Sequence, residues 1–110
     1  MPTQKIVSIG VQEPYRTYLL NGTKTVEGRL NKGKFLRLQA GDILDIEGVK
    51  FEITGTKVYP TFLEMVTEEG VTQVILDKQN PAEAAQVYYH FFTPEQEKEF
   101  GVKAIRITKV

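Results

Sequence analysis

The chain of 110 residues contains no cysteine and a single histidine, His90. The first absence excludes disulfides, thiolate zinc sites and cysteine nucleophiles. The second leaves too few imidazoles for an ordinary metal centre, and no metal or cofactor is expected. Net charge is missing as well, since 14 basic and 14 acidic residues cancel, so no whole-molecule field draws the protein to nucleic acid and any such binding must be local. Long apolar runs are also lacking. The opening residues MPTQKIVSIG reach Gln12 and Glu13 after a handful of apolar positions, which makes neither a signal peptide nor a membrane span, and cytoplasm is the expected compartment.

What is present suits one folded domain over residues 1–110. Hydrophobic residues make up 41% and charged residues 25%, the balance of an ordinary folded protein, and the length suffices for one core. The charge is unevenly spread. Lys24, Arg29, Lys32, Lys34 and Arg37 share a short stretch with one acid, Glu27, whereas Asp42 to Glu69 is predominantly acidic. A basic stripe thus lies on a neutral body.

The apolar periodicity predicts a strand over Lys5 to Ile9 and a helix over Gln12 to Asn21, with Pro14 early, Gly22 as the stop and Tyr15, Tyr18 and Leu19 on the apolar face. In Thr25 to Arg29 the period changes to two: Val26 and Leu30 are expected inside, with Glu27 and Arg29 shown to solvent on the other face. Asn31 to Lys34 reads as a turn and Ala40-Gly41-Asp42 as a second. Two strands hinged at Gly48 follow, Asp42 to Ile46 and Lys50 to Lys57. Short helices are expected over Thr61 to Val66 and Val71 to Leu76. Asn80-Pro81 caps a helix running through AEAAQVYYHFF, and Thr93-Pro94-Glu95-Gln96 forms a capping box for another that stops at Gly101. Val102 to Val110 is a last strand. Sheet strands early, helices later and a returning strand imply one small curved sheet or barrel decorated by helices.

The densest chemistry lies in Gly22-Thr23-Lys24-Thr25-Val26-Glu27-Gly28-Arg29. Arg29 can hold a phosphate or carboxylate with two donors, Lys24 can act as a point charge or, if desolvated, as a proton carrier, and Glu27 can orient either or accept a proton. Judged by spacing alone, an exposed strand with a weak Glu–Arg pair is the plainer reading. Elsewhere, Tyr88, Tyr89, Phe91 and Phe92 could stack on bases, helical spacing making some of them core. His90 is expected to be packed or half exposed rather than a proton carrier, and Glu64, Glu68 and Glu69 a solvated acidic face.

The pattern Gly-x-Lys-x-x-Glu-x-Arg, here Gly22, Lys24, Glu27 and Arg29, resembles the signature of the ASCH domain family. EPYRTYLLNGTKTVEGRL, AGDIL and YYHFFTPEQEKEFGVKAIRI extend the likeness over most of the chain. The resemblance implies an α+β fold, a PUA-like small β-barrel of five or six mixed strands with peripheral helices. It also implies a cleft around the motif that takes RNA or a nucleotide-like molecule, with Lys24, Glu27, Arg29, Lys32, Lys34 and Arg37 as ligand-binding residues. The alternative is a hydrolase acting on a modified nucleoside or on RNA, with Lys24 and Glu27 catalytic. Related amidohydrolases of acetylated cytidine carry Thr where this chain has Glu27, so their nucleophile does not transfer. Glu27 between two cations is expected to stay ionised and to hold Lys24 protonated unless burial outweighs it. A third reading is a protein-interaction domain. Oligomeric state is not legible.

Overall fold

The computed structural model describes residues 4–75 and 77–110. Five strands form one mixed sheet: β1 (Ile6–Ile9), β2 (Val26–Leu30), β3 (Ile43–Ile46), β4 (Val49–Tyr59) and β5 (Val102–Lys109). Their spatial order is β1-β3-β4-β5-β2, with β1 parallel to β3 and every other pair antiparallel. The sheet curls into a PUA-like half-barrel, because β4 is long enough to bend and carries a register irregularity between Ile53 and Gly55. The β3–β4 hairpin turns on Glu47 and Gly48, both at positive φ (50° and 95°), the two-residue geometry that matches strand twist. The Asp45 carboxylate accepts from the Gly48 amide and fixes it.

Five helices accompany the sheet: α1 (Tyr15–Leu20), α2 (Phe62–Glu69), α3 (Val71–Val74), α4 (Pro81–Tyr88) and α5 (Pro94–Phe100). None of the described helices is long and apolar enough to cross a membrane. The expected caps form. Asn80 accepts from the Glu83 amide at 2.9 Å, and Thr93 and Gln96 exchange bonds in a complete capping box. The helix expected through Phe92 instead ends at Tyr88. The reason is the next cap: Thr93 must be extended, at ψ 156°, so the chain tightens into turns over Tyr89 to Phe92 first. The first helix is likewise shorter than Gln12 to Asn21, and of the helix expected to reach Leu76 the last residue lies outside the described residues.

Each face of the sheet carries an apolar cluster. On one, Val26, Leu30, Val102 and Ala104 meet Phe62, Met65, Val66 and Tyr88 of the helices. On the other, Ile9, Leu44, Ile46, Phe51, Ile53, Ile105 and Ile107 enclose Leu19 and Leu38. Phe62 anchors the helical layer, stacking on Tyr88 with centroids 4.4 Å apart and on Phe92 at 5.6 Å. Replacing this fully buried ring, Phe62→Ala, is expected to cost about 3–5 kcal/mol in urea unfolding. A loss below about 1 kcal/mol would show that the aromatic stack does not organise the helices.

Candidate functional site

β2 is an edge strand, paired on one side with β5. Its other side faces the loop after β1, and at this open seam lies a cavity of about 210 Å³. Lys24, Glu27, Gly28 and Arg29 form its charged part. Gly10, Val11 and Gln12 make one rim, and Tyr15, Ile75, Val87, Tyr88, Phe91 and Phe92 the apolar walls. At ~30 Å³ per water molecule the space equals about seven waters, the scale of one small planar ligand.

Glu27 is not on a solvent-facing strand surface, as the alternation suggested. Its side chain is 7% exposed and that of Lys24 1%. Alternation assigns the two faces of β2 correctly, but the seam closes over the polar one, with Arg29 bound to the Gly10 carbonyl at 2.8 Å. Lys24 sits in the turn between α1 and β2, its amide donating to the Tyr18 carbonyl. Its ammonium donates to the carbonyls of Val26 and Val74, each at 2.5 Å, and lies 3.5 Å from Glu27 Oε1. The ammonium thus has two carbonyl acceptors and a carboxylate within ion-pair range, and α3 is tied to β2 through Val74. Glu27 Oε1 also accepts from the Gly28 amide at 3.1 Å, while Oε2 accepts from Arg29 at 3.1 Å. Both arginine bonds use the same terminal nitrogen, leaving the rest of its five-donor fork.

Burial pushes the Glu27 carboxyl up, but Lys24 and Arg29 outweigh it and hold the pKa below the usual carboxylate range. Burial dominates for Lys24 and lowers its pKa against the opposing pull of Glu27. Tyr88 is raised well above the ordinary phenol value, by burial first and by the Glu27 charge second. Its hydroxyl has no hydrogen-bond partner among the described residues.

The rest of the basic stripe lies outside this cavity. Lys32 sits over the Phe100 ring at 4.7 Å, and Lys34 donates to the Ser8 carbonyl. Lys34 and Arg37 line a second, shallower groove beside Lys5 and Leu36. Phe35 lies between the two sites, with Arg29 5.5 Å and Lys34 5.6 Å from its ring centre. Of the aromatics, Tyr88 is core and cavity wall at once, Phe91 and Phe92 line the cavity, and Tyr89 donates to the buried Glu97. His90 is exposed. Glu64 and Glu68 are solvated, but Glu69 is not. It accepts from Tyr59 and, through two nitrogens, from Arg106, a structural network that charge counting did not reveal. Tyr15 and Ile75 of the cavity wall were also missed as site residues, and only the fold brings them to the seam.

A mixed five-stranded half-barrel with a polar motif buried at its open seam defines a PUA-like domain. The ASCH domain family model matches residues 9–110, and the chain belongs to that family. It is similar to the crystal structure of the hypothetical protein PH0355, at 36% identity and a TM-score of 0.91, the alignment covering 96% of this chain and 99% of that one. The solution structure of protein PF0455 from Pyrococcus furiosus is similar at 33% identity and a TM-score of 0.80, covering 96% and 97%. The ASCH protein of Zymomonas mobilis, crystallised as an S128A mutant, shares the fold at 14% identity and a TM-score of 0.64, covering 99% of this chain and 71% of that one. Among curated proteins none matches.

Two buried-charge variants separate the roles. Glu27→Gln leaves the Lys24 ammonium without a counterion and is expected to cost about 3–5 kcal/mol at pH 7. Lys24→Met leaves Glu27 paired with Arg29 and should cost less. Because the folded pKa of Glu27 is depressed, its contribution is present above the unfolded value of about 4.3 and is lost as pH falls through the folded one. The gap between wild type and Glu27→Gln, measured by urea unfolding, should therefore narrow in acid below about pH 4. A gap independent of pH would mean that Glu27 is not ionised in the fold.

Proposed function

We propose that this protein is an RNA- or nucleotide-binding module whose seam cavity takes a base. The observation that carries the reading is the meeting of Lys24, Glu27 and Arg29 in a concave, aromatic-walled site rather than on a flat strand. Glu27 accepts from base N–H groups, Arg29 donates from its remaining nitrogens, and Phe91 and Phe92 supply apolar surface against the ring. Lys24 acts from beneath by fixing Glu27. A carboxylate in the cavity repels phosphate, so the sugar–phosphate chain runs outside it, where Lys34 and Arg37 line the second groove and Lys32 is exposed to solvent.

The hydrolase reading has one supporting feature, the lowered pKa of Lys24. Against it stands the geometry of that amine, which donates to two carbonyls and is ion-paired with a carboxylate. An amine so held is a poor base for a substrate. Purified protein is expected to bind nucleosides without turning over acetylated cytidine. Robust hydrolysis abolished by Lys24→Ala would replace binding with catalysis and give Lys24 and Glu27 catalytic rank.

Binding itself is tested by calorimetry with nucleosides and by salt titration with short single-stranded RNA. Arg29→Ala should weaken both ligands. Joint replacement of Lys32, Lys34 and Arg37 by Ala should spare nucleoside affinity but reduce the slope of log affinity against log salt by about 2, at roughly 0.7 for each phosphate no longer neutralised. An unchanged slope would make the stripe a solvated face.

A further inference from the structure

The Tyr88 hydroxyl is the one cavity-lining side-chain group that is buried and, among the described residues, has no partner. The residue is 5% exposed, and a buried hydroxyl left unbonded costs free energy that a fold normally avoids. Its position is not slack. The ring is held by near-parallel stacking on Phe62, at an interplanar angle of 8°. The phenol oxygen packs close to residue 28 because that residue is glycine: a Cβ there would lie 3.0 Å from that oxygen and 2.7 Å from Met65 Cε. A tight glycine, a clamped ring and an unbonded hydroxyl thus converge beside Glu27.

We propose that Tyr88 is a specificity-determining residue of this cavity, its hydroxyl donating to a lone pair on the ligand while Glu27 accepts from an N–H next to it. This rests on the base-binding reading above and deepens it. An ionised carboxylate has acceptors only, and a phenol kept protonated has a hydrogen to give. Together they match a neutral heterocyclic edge that carries a donor beside an acceptor, as every nucleobase does. They do not match a phosphate or a carboxylate, which offers Glu27 no hydrogen. Among the described residues the phenol has no hydrogen-bond partner, and its role is in the complex.

The test pairs stability with binding. Tyr88→Phe keeps the ring and its stacking, and in ligand-free protein its Tm is expected to equal or exceed that of wild type; a clear fall would show that the hydroxyl has a structural partner and would overturn the proposal. Cytidine, uridine, adenosine and guanosine are then titrated by calorimetry. The best of them should bind Tyr88→Phe about tenfold more weakly than wild type. An analogue with a weakened acceptor, 3-deazacytidine, 1-deazaadenosine or the thioketo form of a keto base, should lose affinity for wild type but lose none further on Tyr88→Phe. Equal nucleoside affinity in both proteins would overturn the role of Tyr88 and leave base binding standing. If wild type binds none of the four nucleosides, the base-binding reading fails and this proposal fails with it.

Discussion

The Lys24–Glu27–Arg29 array is the constraint around which the seam of this protein is organised. Three charges within a few residues of one another, two of them almost fully withdrawn from water, are tolerated because each has partners on more than one element. Lys24 reaches the end of α3, Glu27 returns to the backbone of its own strand, and Arg29 crosses to the loop after β1. An ion pair buried this way adds little net stability compared with apolar packing, but it tolerates few alternatives, because any other arrangement leaves a charge unpaired. The cost of misplacing it therefore aligns α3, β2 and the β1 loop with one another.

The open sheet explains why such an array can also serve a ligand. In a closed barrel β2 and β1 would pair through their backbones and the seam would be filled. Here the free edge is spanned by side chains instead, Arg29 to the Gly10 carbonyl and Lys34 to the Ser8 carbonyl. Side-chain bridges leave gaps between them, and the gap beside Glu27 and Arg29 is walled by aromatic residues. Aromatic walls lower the local dielectric, which strengthens the pull of Glu27 and Arg29 on any polar edge that enters. The same surroundings explain the opposed shifts of Lys24 and Glu27. Burial acts against both charges, but Glu27 faces two cations and Lys24 faces one anion with a cation beyond it.

Much of this fold is legible along the chain because its devices are local. The capping box at Thr93 and Gln96, the Asn80 cap, the hinge at Gly48 and the two-residue period of β2 act between neighbours in sequence, and each forms as read. Gly22, Lys24, Glu27 and Arg29 were legible as a constellation for the same reason, and the half-barrel through the family likeness that they carry. The length of α4 was not, because it depends on competition between a helix and the cap that follows it. Nor was the fate of Glu69, whose partners Tyr59 and Arg106 are distant in sequence.

The sequence by itself determined which residues bear charge at the motif and which faces of β2 are apolar and polar, since alternation is a property of the extended chain. Only the tertiary structure decided that the polar face is buried, that Lys32, Lys34 and Arg37 stay outside the cavity, and that Tyr88 arrives beside Glu27 with a hydroxyl that has no partner among the described residues. Burial and pKa depend on what long-range packing lays over a residue. At this seam the covering groups come from the β1 loop, α3 and α4, elements between about fifteen and sixty residues away from Glu27 in sequence.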